Sequence, residues 1–116
     1  MSSPPAEFEV EPDQVGRWLS EQPALQIVDV REDYEHDAGH VAGSRHVPLG
    51  QLTAQAPTID PARPVVFYCR VGARSAMAAQ AFRASGYDAY SMRGGLLGWV
   101  AERRPLSPQD GHVADH

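Results

Sequence analysis

The sequence predicts an α/β domain: a small parallel sheet with helices on both faces. Short β-branched or aromatic runs, "LQIVDV" and "PVVFYC" foremost, alternate with segments whose apolar residues recur at helical spacing. Strands alternating with helices pair in parallel through helical crossovers. With 116 residues the chain is long enough for one core and too short for two.

Each element has its own signal. "PDQVGRWLSEQ" puts Val15, Trp18 and Leu19 on one helical face, with Pro12 suited to the first turn. Leu25 to Val30 is a β-branched run between Pro23 and a charged stretch, which predicts a buried strand. "REDYEHDAGH" is a short helix or turn that closes near Gly39. "SRHVPL" is a short strand stopped by Pro48, and "LGQLTAQ" a weak helical turn. Pro64 launches the clearest strand, "PVVFYC". "RSAMAAQAFRASG" is the clearest helix, with an apolar stripe of Met77, Ala78, Ala81 and Phe82 and a left-handed cap at Gly86. "DAYSM" is another strand, and "GGLLGWVAERR" a last helix carrying Leu96, Leu97, Trp99 and Val100. Residues 1–6 and 105–116 are polar and rich in breakers, so they are expected to flank a domain over 7–104 as flexible segments.

Composition narrows the function. A net charge of -5 argues against a nucleic-acid partner, since phosphate binding calls for a basic face. No apolar run approaches the roughly 18 residues that span a bilayer, so no membrane partner is expected. "MSSPPAEFEVEP" lacks the basic and apolar regions of a secretory signal. One cysteine forms no internal disulfide, and a cytoplasmic location is expected. His112 and His116 have an i, i+4 spacing, but they lie in a breaker-rich tail without a third ligand, so no metal is expected. All ten basic residues are arginine, so any anion site must use guanidinium forks or backbone amides.

In parallel sheets, ligands gather at the carboxyl ends of the strands. Two such ends carry polar residues, "VDVR" and "FYCR", and the second holds Cys69. A lone cysteine ending an apolar strand is usually a small packed hydrophobe. Here it opens a tight turn, "CRVGARS", into a helix that begins near Arg74 or Ser75. Gly72 permits the positive φ of an amide cradle, the helix start adds unpaired amides, and Arg70 and Arg74 add charge. Each factor favours thiolate over thiol. Cys69 is therefore the candidate nucleophile. Arg70, Val71, Gly72, Ala73, Arg74 and Ser75 are the candidate cradle for an anionic substrate.

The pieces "IVDVRE", "GHVAGSRHVP", "YCRVGARSAMAA", Gly86 and "RGGLLGW" run in that order from Ile27 to Trp99. Together they resemble the single-domain rhodaneses, a sulfurtransferase family. The resemblance implies a five-stranded rhodanese-like sheet and ping-pong transfer of a sulfane sulfur through a Cys69 persulfide, with no cofactor. The donor would be a small sulfur anion such as thiosulfate, and the acceptor cyanide or a thiol. A persulfide carrier that feeds a sulfur-accepting protein in cofactor or tRNA thiolation is the alternative. A phosphatase or arsenate reductase on the same scaffold is the third reading. Four residues separate Cys69 from Arg74, and in the family this shorter loop goes with sulfur, whereas cysteine phosphatases place five there. Val71 stands where the two-domain thiosulfate enzymes carry lysine, which weakens thiosulfate as the physiological donor.

The resemblance also gives supporting roles. Asp29 would brace the cysteine loop through Arg70 or backbone amides, and Arg31 would hold the following turn by pairing with Glu35. Arg74 would either position the donor or tie the loop to the helix start. His40 would be structural, and Trp99 part of the core.

Overall fold

The structure, a computed structural model, describes residues 8–116, so the flexible segment expected over 1–6 lies outside the described residues. In chain order the elements are β1 (Glu9–Val10), α1 (Pro12–Glu21), β2 (Gln26–Asp29), α2 (Asp33–Ala38), β3 (Arg45–His46), α3 (Leu52–Gln55), β4 (Val65–Tyr68), α4 (Ala73–Ala84), β5 (Ala89–Met92) and α5 (Gly95–Ala101). Short 3-10 turns flank α3. The strands form one sheet in the order β1-β5-β4-β2-β3, and every pairing is parallel. β1 is the element the sequence reading lacks. Two residues carry no readable period, and the strand exists by pairing Glu9 and Val10 with Ser91 and Met92.

β4 lies at the centre and is buried along its whole length, as its unbroken apolar run requires. Its residues alternate between the two faces. Val65, Phe67 and Cys69 pack with Val28 and Val30 of the β2 segment, Leu52 of α3, and Ala78, Ala79 and Phe82 of α4. Val66 and Tyr68 pack on the opposite side with Val15 of α1 and with Leu96 and Trp99 of α5. Cys69 thus continues the face that α4 covers, which directs its side chain toward the start of that helix.

The buried face of α4 is Ser75, Ala78, Ala79 and Phe82. Of the expected stripe, Ala78 and Phe82 are inside, whereas Ala81 is exposed and Met77 is 62% exposed. The spacing i, i+3, i+4, i+7 holds but starts at Ser75. Small residues let the helix sit close to β4 and β5, so local hydrophobicity misplaced the face by a fraction of a turn. Gly86 takes the expected left-handed conformation, φ 91°, after α4.

Residues 105–116 carry no helix or strand, yet they are laid along the domain. The Trp99 indole N–H donates to Pro105 O at 2.8 Å. His40 and Ser107 exchange backbone hydrogen bonds of 3.0 and 2.7 Å, and the His112 amide donates to Ala38 O at 2.9 Å. Leu106 and Val113 pack against the cluster that holds Tyr68 and Trp99. This path brings the last residues to the carboxyl end of the sheet. Among the described residues, no helix is long and apolar enough to cross a membrane.

Candidate active site

The turn from β4 into α4 carries Cys69, and its geometry follows from Gly72. That residue has φ 112°, which favours glycine, and it is the residue immediately before α4. The turn it makes aims its own N–H at Cys69 Sγ, 3.0 Å away. The positive end of a 12-residue helix lies on the same side. From behind, α5 holds the loop in place. Its Leu96 amide donates to Cys69 O at 2.8 Å and its Leu97 amide to Arg70 O at 3.1 Å.

Cys69 has no exposed surface and packs with Phe67 and Ala79. Burial alone would suit an inert thiol. The amide on the sulfur is what sets it apart, together with the buried Ser75 hydroxyl 3.6 Å away. Of the loop, Val71 is the exposed crest, at 52%. Two concavities, of about 420 and 400 Å³, lie elsewhere and include none of these loop residues.

The two arginines part company. Arg74 makes a bidentate pair with Glu35 of α2, 2.9 and 3.0 Å, which leaves it tied down beside the loop. Of the two roles open to it, the contacts carry the tie from the start of α4 to α2. Arg70 reaches the tail instead. Its Nε donates to Ala114 O at 3.2 Å, and its Nη2 is 3.5 Å from the exposed Asp115 carboxylate. His116 reaches Glu35 at 3.3 Å. His112 meets α2 through its backbone, so the two tail histidines take separate contacts.

The expected bracing pairs are exchanged. Asp29 does not touch Arg70. It takes three hydrogen bonds from Arg31, from the backbone N–H at 3.0 Å, Nε at 2.8 Å and Nη2 at 2.6 Å, and one from His36 Nδ1 at 2.8 Å. Arg31 in turn does not pair with Glu35. Two residues from Asp29 at the strand end, it folds back onto that carboxylate and uses Nη2 also to bond Gly39 O at 2.7 Å. Both side chains are fully buried. Burial pushes the Asp29 carboxyl up, but the Arg31 bonds and charge outweigh it and hold it below its ordinary range. For Glu35 the same opposition, burial against the Arg74 bonds, also ends below the ordinary range. Glu35 lies 39 residues from Arg74 in the chain, so the sequence does not reveal this pair.

His40 donates through Nδ1 to His36 O at 2.8 Å. His36 is stacked between His40 and His46, with centroids 3.8 and 4.5 Å away. Burial, then the neighbouring imidazoles, push the His36 pKa down against the pull of Asp29. A pKa lowered by folding means stability that is present above the unfolded value and lost as pH falls from there through the folded value. Acidification below about pH 6.5 should therefore lower the melting temperature, with a second loss below about pH 4 from Asp29 and Glu35. Melting curves of wild type and His36→Gln check this. The glutamine variant should lose the first step and keep the second, and a wild type that melts alike at about pH 7.5 and 5.5 would contradict it.

Residues 11–102 match the family model of the rhodanese-like domain. The chain belongs to the rhodanese-like family. Thiosulfate sulfurtransferase GlpE of Pseudomonas aeruginosa is 36% identical over 102 residues, covering 87% of this chain and 87% of its own. An uncharacterized Bacillus subtilis protein, YqhL, is 40% identical over 75 residues, 64% of this chain. The match spans 60% of the length of YqhL. A rhodanese-related protein from Thermoplasma volcanium superposes with a TM-score of 0.78 at 23% identity, over 84% of this chain and 95% of that one. That likeness is one of fold, and it agrees with the five-stranded parallel sheet.

Proposed function

We propose that this rhodanese-like chain moves a sulfane sulfur from a small anionic donor to a thiophilic acceptor through a persulfide on Cys69. The observation that carries the reading is the Gly72 N–H on Cys69 Sγ at 3.0 Å, at the amino end of α4. An amide fixed on the sulfur stabilises negative charge there, both on a thiolate and on the group it becomes.

The Cys69 thiolate attacks the outer sulfur of thiosulfate, the S–S bond to the sulfonate breaks, and its electron pair leaves with sulfite. Cyanide or a thiolate then takes the terminal sulfur and restores the thiolate. Arg70, which is next to Cys69 in the loop and is not tied to Glu35, is the guanidinium assigned to the donor's anionic end. Arg74 supports the loop through Glu35. With no surface exposed on Cys69, the donor meets the sulfur only after the Val71 crest or the tail at Arg70 gives way. A cytoplasmic setting, where thiols stay reduced, suits a single catalytic cysteine.

Intact-mass measurement after incubation with thiosulfate is the test. One added sulfur atom is expected, removed by cyanide or dithiothreitol and absent in Cys69→Ala. An unchanged wild-type mass, or an adduct that persists in Cys69→Ala, would overturn the assignment. Cys69-dependent turnover of para-nitrophenyl phosphate would favour the phosphatase reading instead.

A further inference from the structure

Ser91 lies in β5 with no exposed surface, two residues after Ala89, whose side chain belongs to the apolar core on the α4 side. A hydroxyl in such a place costs free energy unless it is hydrogen-bonded. Its side-chain partner is Ser75 Oγ, 2.8 Å away and equally buried, on α4. Strand register brings the two together. Ser91 pairs with Phe67 of β4, on the face that α4 covers, two residues before Cys69. Ser75 Oγ has two further neighbours, Gly72 O at 3.2 Å and Cys69 Sγ at 3.6 Å.

Counting protons sets the direction of these bonds. Ser75 has one hydroxyl proton, and Ser91 has one. If Ser75 donates to Ser91, the Ser91 proton has no acceptor among the described residues, and neither Gly72 O nor the sulfur receives the Ser75 proton. If Ser91 donates to Ser75, both protons are used. Ser91 is therefore the donor. While Cys69 is a thiol, its S–H points at the Ser75 oxygen and the Ser75 proton rests on Gly72 O. Once Cys69 is an anion, the Ser75 proton turns to the sulfur and Ser91 continues to donate.

We propose that Ser91 is a positioning residue for Cys69: it holds the Ser75 hydroxyl with its proton free for the sulfur, and polarises that O–H through the bond it donates. The inference rests on reading Cys69 as the nucleophile. Ser91 itself touches neither donor nor reacting sulfur.

The chain has a single cysteine, so ultraviolet thiolate absorbance read against Cys69→Ala titrates that residue alone. Ser75→Ala is expected to move the midpoint up by about one pH unit, the tenfold expected of one hydrogen bond to an anion, and Ser91→Ala to move it up by a smaller part of that, because it removes only the polarisation of the bond. The double variant should titrate like Ser75→Ala, because Ser91 acts only through that hydroxyl. A wild-type midpoint in Ser91→Ala, or shifts that add in the double variant, would overturn the proposal. The titration uses no sulfur donor. A chain that ionises as expected yet gains no mass from thiosulfate would sink the proposed reaction and leave the role of Ser91 standing, and the converse result would do the reverse.

Discussion

Replacing Asp29 with alanine is expected to lower the melting temperature by about 12–20 °C. The figure comes from the roughly 3–5 kcal/mol lost when one member of a buried ion pair is removed, at about 4 °C per kcal/mol for a domain of this size. Asp29 and Arg31 are both fully buried, and the carboxylate takes three of the hydrogen bonds that Arg31 can give. Without it, the guanidinium keeps Gly39 O and the face of Tyr68, 5.6 Å from the ring centroid, and no hydrogen-bonded carboxylate. His36 Nδ1 loses its acceptor as well. Removing the charge together with its partner, in Asp29→Leu/Arg31→Leu, should recover at least half of the loss, since a buried pair repays little more than its own desolvation. Calorimetry on the three proteins decides this. An Asp29→Ala protein that melts within about 4 °C of wild type, or a double variant worse than the single, would refute the account. The pair does not touch the cysteine loop, so sulfur loading well below the melting temperature should survive in Asp29→Ala. That outcome separates support of the strand ends from participation in the chemistry.

The contrast between Asp29 and Cys69 shows what the sequence could and could not reveal. Cys69, Gly72 and the start of α4 lie within seven residues, and their relation is a matter of local backbone geometry, legible as strand, glycine and helix start. β2, β4, α1 and the extent of α4 were legible for the same reason, since their periods are contained in the segment. The pairs that brace the site are not local. "VDVR" and "EDYE" hold four carboxylates and one guanidinium, Arg70 and Arg74 add two more, and nothing in the string decides which carboxylate meets which guanidinium. The folded chain brings Glu35 of α2 to Arg74 in the first turn of α4, and Arg31 bonds Asp29. Ser91 was hidden for a related reason. A serine in "DAYSM" has no visible role until register sets it beside Ser75. The tail illustrates a different limit: its breakers exclude a helix or strand, but not docking. Leu106 and Val113 are too few to register as an apolar pattern, yet both find the core cluster, and Trp99 finds Pro105 O.

The largest effect on the cysteine loop itself should come from Gly95→Ala. Gly95 has φ 58° and opens α5, and a Cβ on it would lie 2.5 Å from both Cys69 O and Arg70 O. Those are backbone atoms of the cysteine loop, and no rotamer change relieves the clash. Either α5 moves back, which breaks the Leu96 and Leu97 amide bonds to these same carbonyls, or the loop moves forward and takes Sγ off the Gly72 amide. Left-handed strain and overpacking each cost about 1–3 kcal/mol, so a loss of roughly 3 kcal/mol or more is expected. A displacement of about 1 Å at the nucleophile should slow persulfide formation about a hundredfold. Gly50→Ala is the matched control, because nothing lies within 4 Å of its Cβ position. It should load sulfur and melt as wild type does. If Gly95→Ala matched it in both measurements, the contact of α5 with the loop could not be what holds Cys69 in place. If only stability fell, the loop would be held by Gly72 and α4 alone. If both fell together, the second glycine of "RGGLLGW" is as much a part of the sulfur site as the loop it supports.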